Sequence, residues 1–290
     1  MTLVDVGAVS VVGVVGAGIM GAGIAEVTAR AGCRVVVLEV SAAAADAGRA
    51  RLEGSLARAV DRGRLPADER DAVLERLSWT TSDADLERCE LVVEAAPEDE
   101  AVKLDLFRRL DRVVRPDAVL ATNTSSIPVA RIAAATDRPG QVVGLHFFNP
   151  VPVLPLVEVV ESLLTSPQTL AVVTGFAEHQ LGKSTIRSKD RAGFIVNGLL
   201  IPYLLAAVRM LESGLASAED IDLGMVKGCA HPMGPLALAD LIGLDTTAAV
   251  AESMYAEFKE PLFAPPPLLL RMCEAGLLGR KSGRGFFSYA

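Results

Sequence analysis

Three histidines are the side chains best suited to move a proton near neutral pH, and they lie at His146, His179 and His231. His146 follows the apolar run 142–145, so it falls where a predicted buried strand ends. His179 lies in a polar helical stretch, which predicts a solvated ring. His231 precedes a proline in a turn, where a structural role is the better interpretation. His146 is therefore the candidate general base, with a buried structural histidine as the alternative.

Glu158 is a carboxylate inside an otherwise apolar run, Leu-Val-Glu-Val-Val. Such a side chain is rarely buried without a partner, and an imidazolium is one suitable partner. A base with a second group that orients it is the usual arrangement for proton abstraction. The sequence therefore predicts that His146 and Glu158 act together.

Polar side chains also follow the apolar run 119–121, in the segment Asn123-Thr124-Ser125-Ser126. If that run is a strand of the same parallel sheet, this segment reaches the same carboxyl edge as His146. The alternative is a helix N-cap, which Ser126 would supply to the next helix.

A glycine pattern near the start predicts a dinucleotide site. Gly16, Gly18 and Gly21 follow a β-branched run and open a helix, so they permit a tight turn, a close pyrophosphate and close helix–strand packing. Glu39 ends the next strand, 18 residues after Gly21, where a carboxylate accepts ribose hydroxyl hydrogens and repels a 2′-phosphate. NAD is thus favoured over NADP. The alternative is a non-binding α/β sheet with a surface carboxylate.

The elements that must position these residues alternate between strands and helices in the first part of the chain. Strand-like runs are expected at 9–15, 34–39, 91–94, 118–121 and 141–145, with further ones at 156–160 and 184–188. Helices are expected between them, at 42–64, 66–77, 100–114 and 167–181. This order predicts an α/β fold with a doubly wound, mostly parallel sheet. After residue 191 the pattern is purely helical, over 193–213, 217–227, 235–258 and 266–276, so the domain boundary is expected at 189/190.

The composition excludes several classes of protein. Of 290 residues, 51% are hydrophobic, and 36 acidic against 28 basic side chains give a net charge of −8. The sequence has no cluster of basic residues, and this negative net charge therefore argues against a protein that binds nucleic acid or an anionic membrane. Residues 8–25 carry no charge, yet their glycines make a poor membrane helix. The scattered cysteines are interpreted as reduced core residues of a cytoplasmic protein, at Cys33, Cys89, Cys229 and Cys273.

Together these motifs resemble the L-3-hydroxyacyl-CoA dehydrogenase family, and within it the stand-alone bacterial 3-hydroxybutyryl-CoA branch. The matching segments are Gly-Ala-Gly-Ile-Met-Gly at 16–21, Asn-Thr-Ser-Ser at 123–126 and His-Phe-Phe-Asn-Pro-Val-Pro-Val at 146–153. Others are Gly-Phe-Ile-Val-Asn at 193–197, His-Pro-Met-Gly-Pro at 231–235, Gly-Leu-Asp-Thr at 243–246 and Gly-Arg-Lys-Ser-Gly-Arg-Gly-Phe at 279–286. The resemblance covers nearly the whole chain.

The resemblance implies a Rossmann-like NAD-binding domain over residues 1–189 and a helical substrate and dimerisation domain over 190–290. His146 would be the general base, Glu158 its orienting carboxylate, Ser125 a donor to the reacting oxygen and Asn197 a substrate contact. The cofactor would be NAD, without a metal, bound by the loop Gly16, Ala17, Gly18, Ile19, Met20 and Gly21 and by Glu39, Glu98, Lys103, Asn123, Ser125, Asn149 and Lys281. Ser55 and Arg62 match positions that touch coenzyme A.

The predicted activity is reversible oxidation of a short (S)-3-hydroxyacyl-CoA by NAD, in a cytoplasmic homodimer. Removing hydride from a secondary alcohol requires a base for the hydroxyl proton, and His146 suits that role. Two alternatives stay open: a dehydrogenase of the same fold acting on a carrier-protein-bound hydroxyacyl group, and a catalytically silent dinucleotide-binding protein. Retention of the four predicted catalytic side chains argues against the silent protein.

Overall fold

The computed structural model of the protein describes residues 8–289. It divides into two compact units, the first ending at Asp190 and the second beginning at Arg191. The predicted boundary at 189/190 lies one residue away, and the roles assigned to the two parts stay predictions. Among the described residues, none of the helices has both the length and the apolar character needed to cross a bilayer.

The first unit contains one eight-stranded sheet in the order β3-β2-β1-β4-β5-β6-β7-β8. All neighbouring strands are parallel except β6 and β7, which are antiparallel. This order confirms the predicted doubly wound, mostly parallel sheet. The strands are β1 (Val11–Val15), β2 (Arg34–Leu38), β3 (Leu77–Thr80), β4 (Leu91–Glu94), β5 (Val119–Thr122), β6 (Val142–Phe147), β7 (Leu156–Glu161) and β8 (Ser184–Lys189).

Helices cover both faces of this sheet, as parallel strands buried on both sides require. Side chains cap the N-termini of several helices. Ser41 accepts a hydrogen bond from the Ala44 amide, and Asp99 accepts one from the Val102 amide. The helices are α1 (Ile19–Arg30), α2 (Ala42–Asp61), α3 (Ala67–Glu75), α4 (Glu100–Val113), α5 (Val129–Ala133) and α6 (Pro167–Gly175). A π-helical turn at Phe176–Gln180 extends α6.

The strand β3 and the helix α5 were not predicted. The expected helix at 66–77 ends at Glu75, because Leu77–Thr80 pairs with β2 at the sheet edge. Strand β3 has only four residues and α5 only five, so neither is long enough to show a hydrophobic periodicity in the sequence. Strand β6 runs to Phe147 rather than ending at Leu145, because its last residues pair with β7.

The second unit is helical and has its own core. Its helices are α7 (Val196–Glu212), α8 (Ala218–Gly228), α9 (Pro235–Ile242), α10 (Leu244–Phe258) and α11 (Pro267–Glu274). Two boundaries differ from the prediction for backbone reasons. Gly193 and Phe194 have positive φ angles and delay the start of α7, while Gly243, at φ 104°, breaks the expected helix 235–258 into α9 and α10.

Asp240, in α9, forms hydrogen bonds with residues 286–289 near the C-terminus. This buried carboxylate accepts hydrogen bonds from the amides of Phe286 and Phe287 at 3.0 and 2.9 Å and from the Tyr289 hydroxyl at 2.9 Å. Burial and the Asp240 contact raise the pKa of Tyr289 to about 12. A Cβ on Gly285 would lie 1.9 Å from the Asp240 carboxylate, so only glycine fits there. We call residues 279–289 the C-terminal strap.

The prediction that the cysteines are core residues is right for two positions and wrong for one. Cys33 and Cys89 are buried, and burial raises the pKa of both thiols, that of Cys89 to about 12. Cys229 is exposed, because it follows the last residue of α8 in a turn. Cys273 is half-buried.

Candidate active site

In the glycine loop between β1 and α1, two glycines lie against neighbouring backbone and the third has open space beside it. Gly16 has φ 87°, and a Cβ there would lie 2.7 Å from the Ala95 carbonyl oxygen. A Cβ on Gly21 would lie 1.8 Å from the Gly16 carbonyl oxygen. A Cβ on Gly18 would meet no atom within 4 Å. The first and third glycines thus permit close packing, and the second leaves its backbone accessible to a ligand.

Gly18 faces a cavity of about 670 Å³ whose lining also includes Gly16, Ile19, Met20 and Glu39. Glu39 lies just after β2 and accepts hydrogen bonds from the amides of Ala17 and Val40 at 2.5 and 3.1 Å. The cavity therefore offers a helix N-terminus for phosphates and a carboxylate for hydroxyl groups. These residues fit the adenosine half of NAD. Ala17 and Gly21 are buried behind the loop.

Glu98 holds the loop that follows β5. Its Oε1 accepts hydrogen bonds from the Thr124 hydroxyl at 2.6 Å, the Ser125 amide at 2.9 Å and the Ser126 hydroxyl at 2.8 Å. Burial opposes ionisation, but the Lys103 charge and these hydrogen bonds outweigh it and hold the pKa of Glu98 below its usual range. The carboxylate thereby fixes the loop that carries Ser125, whose hydroxyl lies 3.4 Å from Glu98 Oε1.

Lys103 was predicted near the cofactor, and its side chain is only 1% exposed. Its Nζ lies 2.5 Å from Glu94 Oε1 and 3.3 Å from Glu98 Oε2. Glu94 also accepts a hydrogen bond from Thr122 at 2.6 Å. The buried Glu94 was missed by the sequence reasoning, although it is a lone carboxylate ending an apolar strand, the signal that singled out Glu158. We call Glu94, Lys103 and Glu98 the charge triad, in which Glu94 and Lys103 are buried and Glu98 is exposed.

His146 and Glu158 face each other across β6 and β7. They are register partners, and His146 Nδ1 lies 2.7 Å from Glu158 Oε2. His146 is 6% exposed and Glu158 is fully buried, so the contact between the two side chains is shielded from water. Asn123 accepts a hydrogen bond from the Phe147 amide at 2.8 Å, which ties the Ser125 loop to the strand carrying His146.

The remaining predicted residues divide between the two units. Asn149 and Ser55 line a cavity of about 290 Å³, and Arg62 lines an adjoining cavity of about 300 Å³. In the helical unit, Asn197 lies in the first turn of α7, and Lys281 forms an ion pair with Asp245 at 2.5 Å.

The structure also shows the surroundings of the other two histidines and of Ser126, for which the sequence suggested roles outside catalysis. His179 is exposed, and the His231 ring lies 3.1 Å from the Tyr203 hydroxyl, consistent with a structural role. Ser126 is not the N-cap of the next helix. Instead the Asp190 carboxylate accepts hydrogen bonds from the amides of Val129 and Ala130 at 2.8 and 2.7 Å at the start of α5.

A doubly wound sheet with this glycine loop and a carboxylate after β2 is the arrangement of a dinucleotide-dependent dehydrogenase. A family model for the 3-hydroxyacyl-CoA dehydrogenase NAD-binding domain matches residues 11–191, and the model for the C-terminal domain of the same family matches residues 193–289. The chain belongs to the 3-hydroxyacyl-CoA dehydrogenase family and is an NAD-dependent dehydrogenase.

Known proteins are similar to this chain over nearly its whole length. The chain is 58% identical to a 3-hydroxybutyryl-CoA dehydrogenase of Mycobacterium tuberculosis over 97% of this chain and 99% of that protein. It is 40% identical to the mitochondrial hydroxyacyl-coenzyme A dehydrogenase of Sus scrofa, over 95% and 90% respectively. The crystal structure of M. tuberculosis FadB2 matches with a TM-score of 0.97 at 58% identity, covering 98% of this chain and 100% of that one.

Proposed function

We propose that the protein catalyses the reversible, NAD-dependent oxidation of a short-chain (S)-3-hydroxyacyl-CoA, such as 3-hydroxybutyryl-CoA, to the 3-oxoacyl-CoA. The observation that carries the proposal is the buried contact of 2.7 Å between His146 Nδ1 and Glu158 Oε2. The names of the relatives support the substrate class, since two proteins named 3-hydroxybutyryl-CoA dehydrogenase are 58% and 43% identical to this chain.

In the oxidation direction, His146 accepts the proton of the substrate hydroxyl. Glu158 keeps the ring oriented through Nδ1 and stabilises the positive charge that the ring gains. Ser125, held by Glu98, donates a hydrogen bond to the reacting oxygen, and Asn197 contacts the substrate. When bound, NAD would supply the acceptor for the hydride that leaves the substrate carbon.

The proposed cofactor residues have different tasks. The 670 Å³ cavity supports binding of the adenosine half by Gly18 and Glu39. Glu98, Lys103 and Asn123 also shape the Ser125 loop, because the charged groups of Glu98 and Lys103 and the Oδ1 atom of Asn123 already have protein partners. Asn149 and Lys281 remain cofactor contacts in the proposal, and Ser55 and Arg62 contact coenzyme A.

We also propose a homodimer formed through the helical unit. Large apolar side chains are exposed on it, including Leu199 at 76%, Leu215 at 72% and Leu223 at 55%. Exposed apolar groups of this kind are often covered by a partner.

Initial rates of 3-oxoacyl-CoA reduction test the proposal. With NADH we expect the fastest turnover on acetoacetyl-CoA, falling as the acyl chain lengthens, and much slower turnover with NADPH because of Glu39. The same assay on an acetoacetyl group tethered to a carrier protein is the comparison. Turnover of the carrier-bound substrate alone, or of neither, would contradict the proposal.

A further inference from the structure

The loop between β6 and β7 extends from the two strands that carry the proposed base and its carboxylate. The ladder between these strands pairs His146 with Glu158 and ends with Phe147 opposite Val157. Residues 148–155, which we call the β6–β7 loop, continue beyond the ladder and carry Asn149. The ladder therefore fixes His146 against Glu158, whereas other contacts must fix Asn149.

Asn149 lies beside the start of α1, close to the dinucleotide cavity. It lines the cavity of about 290 Å³ together with Ile19, and Ile19 also lines the cavity of about 670 Å³. In the proposed function the Asn149 side chain contacts the cofactor. A shift of the β6–β7 loop would move that contact.

The β6–β7 loop has a defined shape and packs against α1. The amides of Val153 and Leu154 both donate hydrogen bonds to the Pro150 carbonyl oxygen, each at 3.0 Å. Val151 is 2% exposed, and a Cβ on Gly23 of α1 would lie 2.8 Å from the Val151 Cβ. The loop thus lies directly against the helix that begins at the glycine loop.

Lys183, the residue before β8, reaches the loop from the side away from its own strand. Its Nζ donates hydrogen bonds to the carbonyl oxygens of Val151 and Leu154 at 2.6 and 2.7 Å. Its amide donates a hydrogen bond to the Ala177 carbonyl oxygen at 2.8 Å, in the π-helical turn that extends α6. The backbone of Lys183 is therefore anchored, and its side chain joins the two ends of the turn 151–154.

The ammonium group of Lys183 is held where its charge is disfavoured. The residue is 9% exposed, and burial, with a smaller contribution from the Arg30 charge, lowers the pKa of Lys183. Within residues 8–289, no carboxylate lies at ion-pair distance from it. The two carbonyl oxygens therefore compensate the charge, and a cationic donor binds a carbonyl oxygen more strongly than a neutral donor does.

We infer that Lys183 is a positioning residue for the dehydrogenase reaction, which holds the β6–β7 loop so that Asn149 stays in place to bind NAD. The inference rests on the proposed function, in which Asn149 contacts the cofactor, and it assigns no contact with cofactor or substrate to Lys183 itself. Because the ladder fixes His146 and Glu158 separately, loss of the Lys183 contacts should affect cofactor binding more than the chemical step.

A double-mutant cycle on NADH affinity, measured by fluorescence titration, tests the inference. Asn149→Ala removes a hydrogen-bonding side chain from the cofactor site and should weaken NADH binding about fivefold. Lys183→Met should weaken it by a similar factor, because two carbonyl groups lose their donor and the loop shifts. The double variant should bind within about twofold of Asn149→Ala, whereas independent roles would multiply the two losses to about 25-fold.

Steady-state kinetics separate positioning from a general loss of structure. Lys183→Met should raise KM for NADH about fivefold, while kcat on acetoacetyl-CoA at saturating NADH stays within about twofold of the wild type. Lys189→Met, which removes an exposed lysine at the end of β8, is the matched control and should behave like the wild type.

A conservative variant distinguishes hydrogen bonding from bulk. Lys183→Gln keeps N–H donors but loses the charge and one atom of reach, so we expect NADH binding about threefold weaker than in the wild type. This variant takes the place of Lys183→Met in the cycle if the methionine variant does not fold.

Three results would overturn the inference: wild-type NADH affinity in either single variant of the cycle, multiplied losses in the double variant, or a fall in kcat as large as the rise in KM. Failure of the proposed function is separate. It would appear as no reduction of acetoacetyl-CoA by the wild type, whereas the NADH titration needs no turnover.

Discussion

At the scale of single residues, the chemistry depends on charged groups held inside the sheet. Glu158 and Glu94 are lone carboxylates in apolar strands, and both are fully buried against a basic side chain, His146 or Lys103. A carboxylate in that setting is costly unless it is paired and hydrogen-bonded. Each one therefore fixes the position of its partner.

Substitution of the proposed base should separate chemistry from cofactor binding. We expect His146→Gln to lower kcat by about 10²-fold or more, the usual contribution of a general base, while NADH affinity measured by fluorescence titration stays within about twofold. His179→Gln, which changes an exposed ring, is the control. Turnover of His146→Gln near the wild-type rate would reject the assignment.

Glu98 should contribute to stability in a pH-dependent way. Its folded pKa is lowered, so its carboxylate stabilises the fold above the unfolded pKa of about 4.3, and this contribution is lost as pH falls through the lower folded value. The urea midpoint of Glu98→Gln should therefore fall less between pH 6 and pH 3 than that of the wild type. Glu75→Gln, at an exposed position on α3, should follow the wild-type curve, and a Glu98→Gln curve parallel to both would contradict the prediction.

At the scale of elements, the site depends on loops fixed by groups from neighbouring strands. The charge triad extends from the end of β4 into α4, and Glu98 holds the loop after β5. Because Glu94 and Lys103 come from different elements and are both buried, removing either side chain leaves the other in a dry interior without its nearest partner.

We expect Glu94→Leu to reduce the free energy of unfolding by about 3–5 kcal/mol, since it leaves Lys103 buried with only the more distant Glu98 to compensate it. The double variant Glu94→Leu/Lys103→Met removes both charges and should recover a large part of that loss. Urea denaturation of Glu94→Leu, Lys103→Met and the double variant measures the coupling energy between the two side chains. Strictly additive effects would show that the two side chains do not act as a pair.

The C-terminal strap provides the corresponding test in the helical unit. Asp240→Ala leaves two amides and the Tyr289 hydroxyl without their acceptor, so we expect a loss of about 3–5 kcal/mol and faster proteolysis after residue 279. Glu274→Ala, which breaks an exposed ion pair with Arg271, should cost under about 1 kcal/mol. Equal protease resistance of Asp240→Ala and the wild type would contradict this account.

The sequence predicted those parts of the fold whose signals are local. The predicted strand at 91–94 has three consecutive apolar residues between Glu90 and Glu94, and the structure places a strand there with the same bounds. Glu158 was recognisable because its charge interrupts an apolar run. Strand β3, by contrast, is fixed by pairing with β2, and the break at Gly243 depends on a backbone angle.

At the scale of the whole molecule, the proposed dimer is open to direct measurement. Light scattering after size exclusion should give twice the chain mass of 30.4 kDa for the wild type. Leu215→Glu and Leu223→Glu, which place charges on exposed apolar positions of the helical unit, should give the monomer mass. Leu163→Glu in the first unit, where Leu163 is 98% exposed, is the control and should leave the mass unchanged. A monomeric wild type would exclude the proposal.

The two outer strands of the sheet have a consequence for the protein at high concentration. An unpaired strand edge can recruit strands from other chains and so begin aggregation. On one side the sheet ends at β3, which is only four residues long, and on the other at β8, which presents the exposed charges Arg187 and Lys189. Short length and like charges both oppose pairing between copies, so these edges favour solubility in a chain whose strands are otherwise strongly apolar.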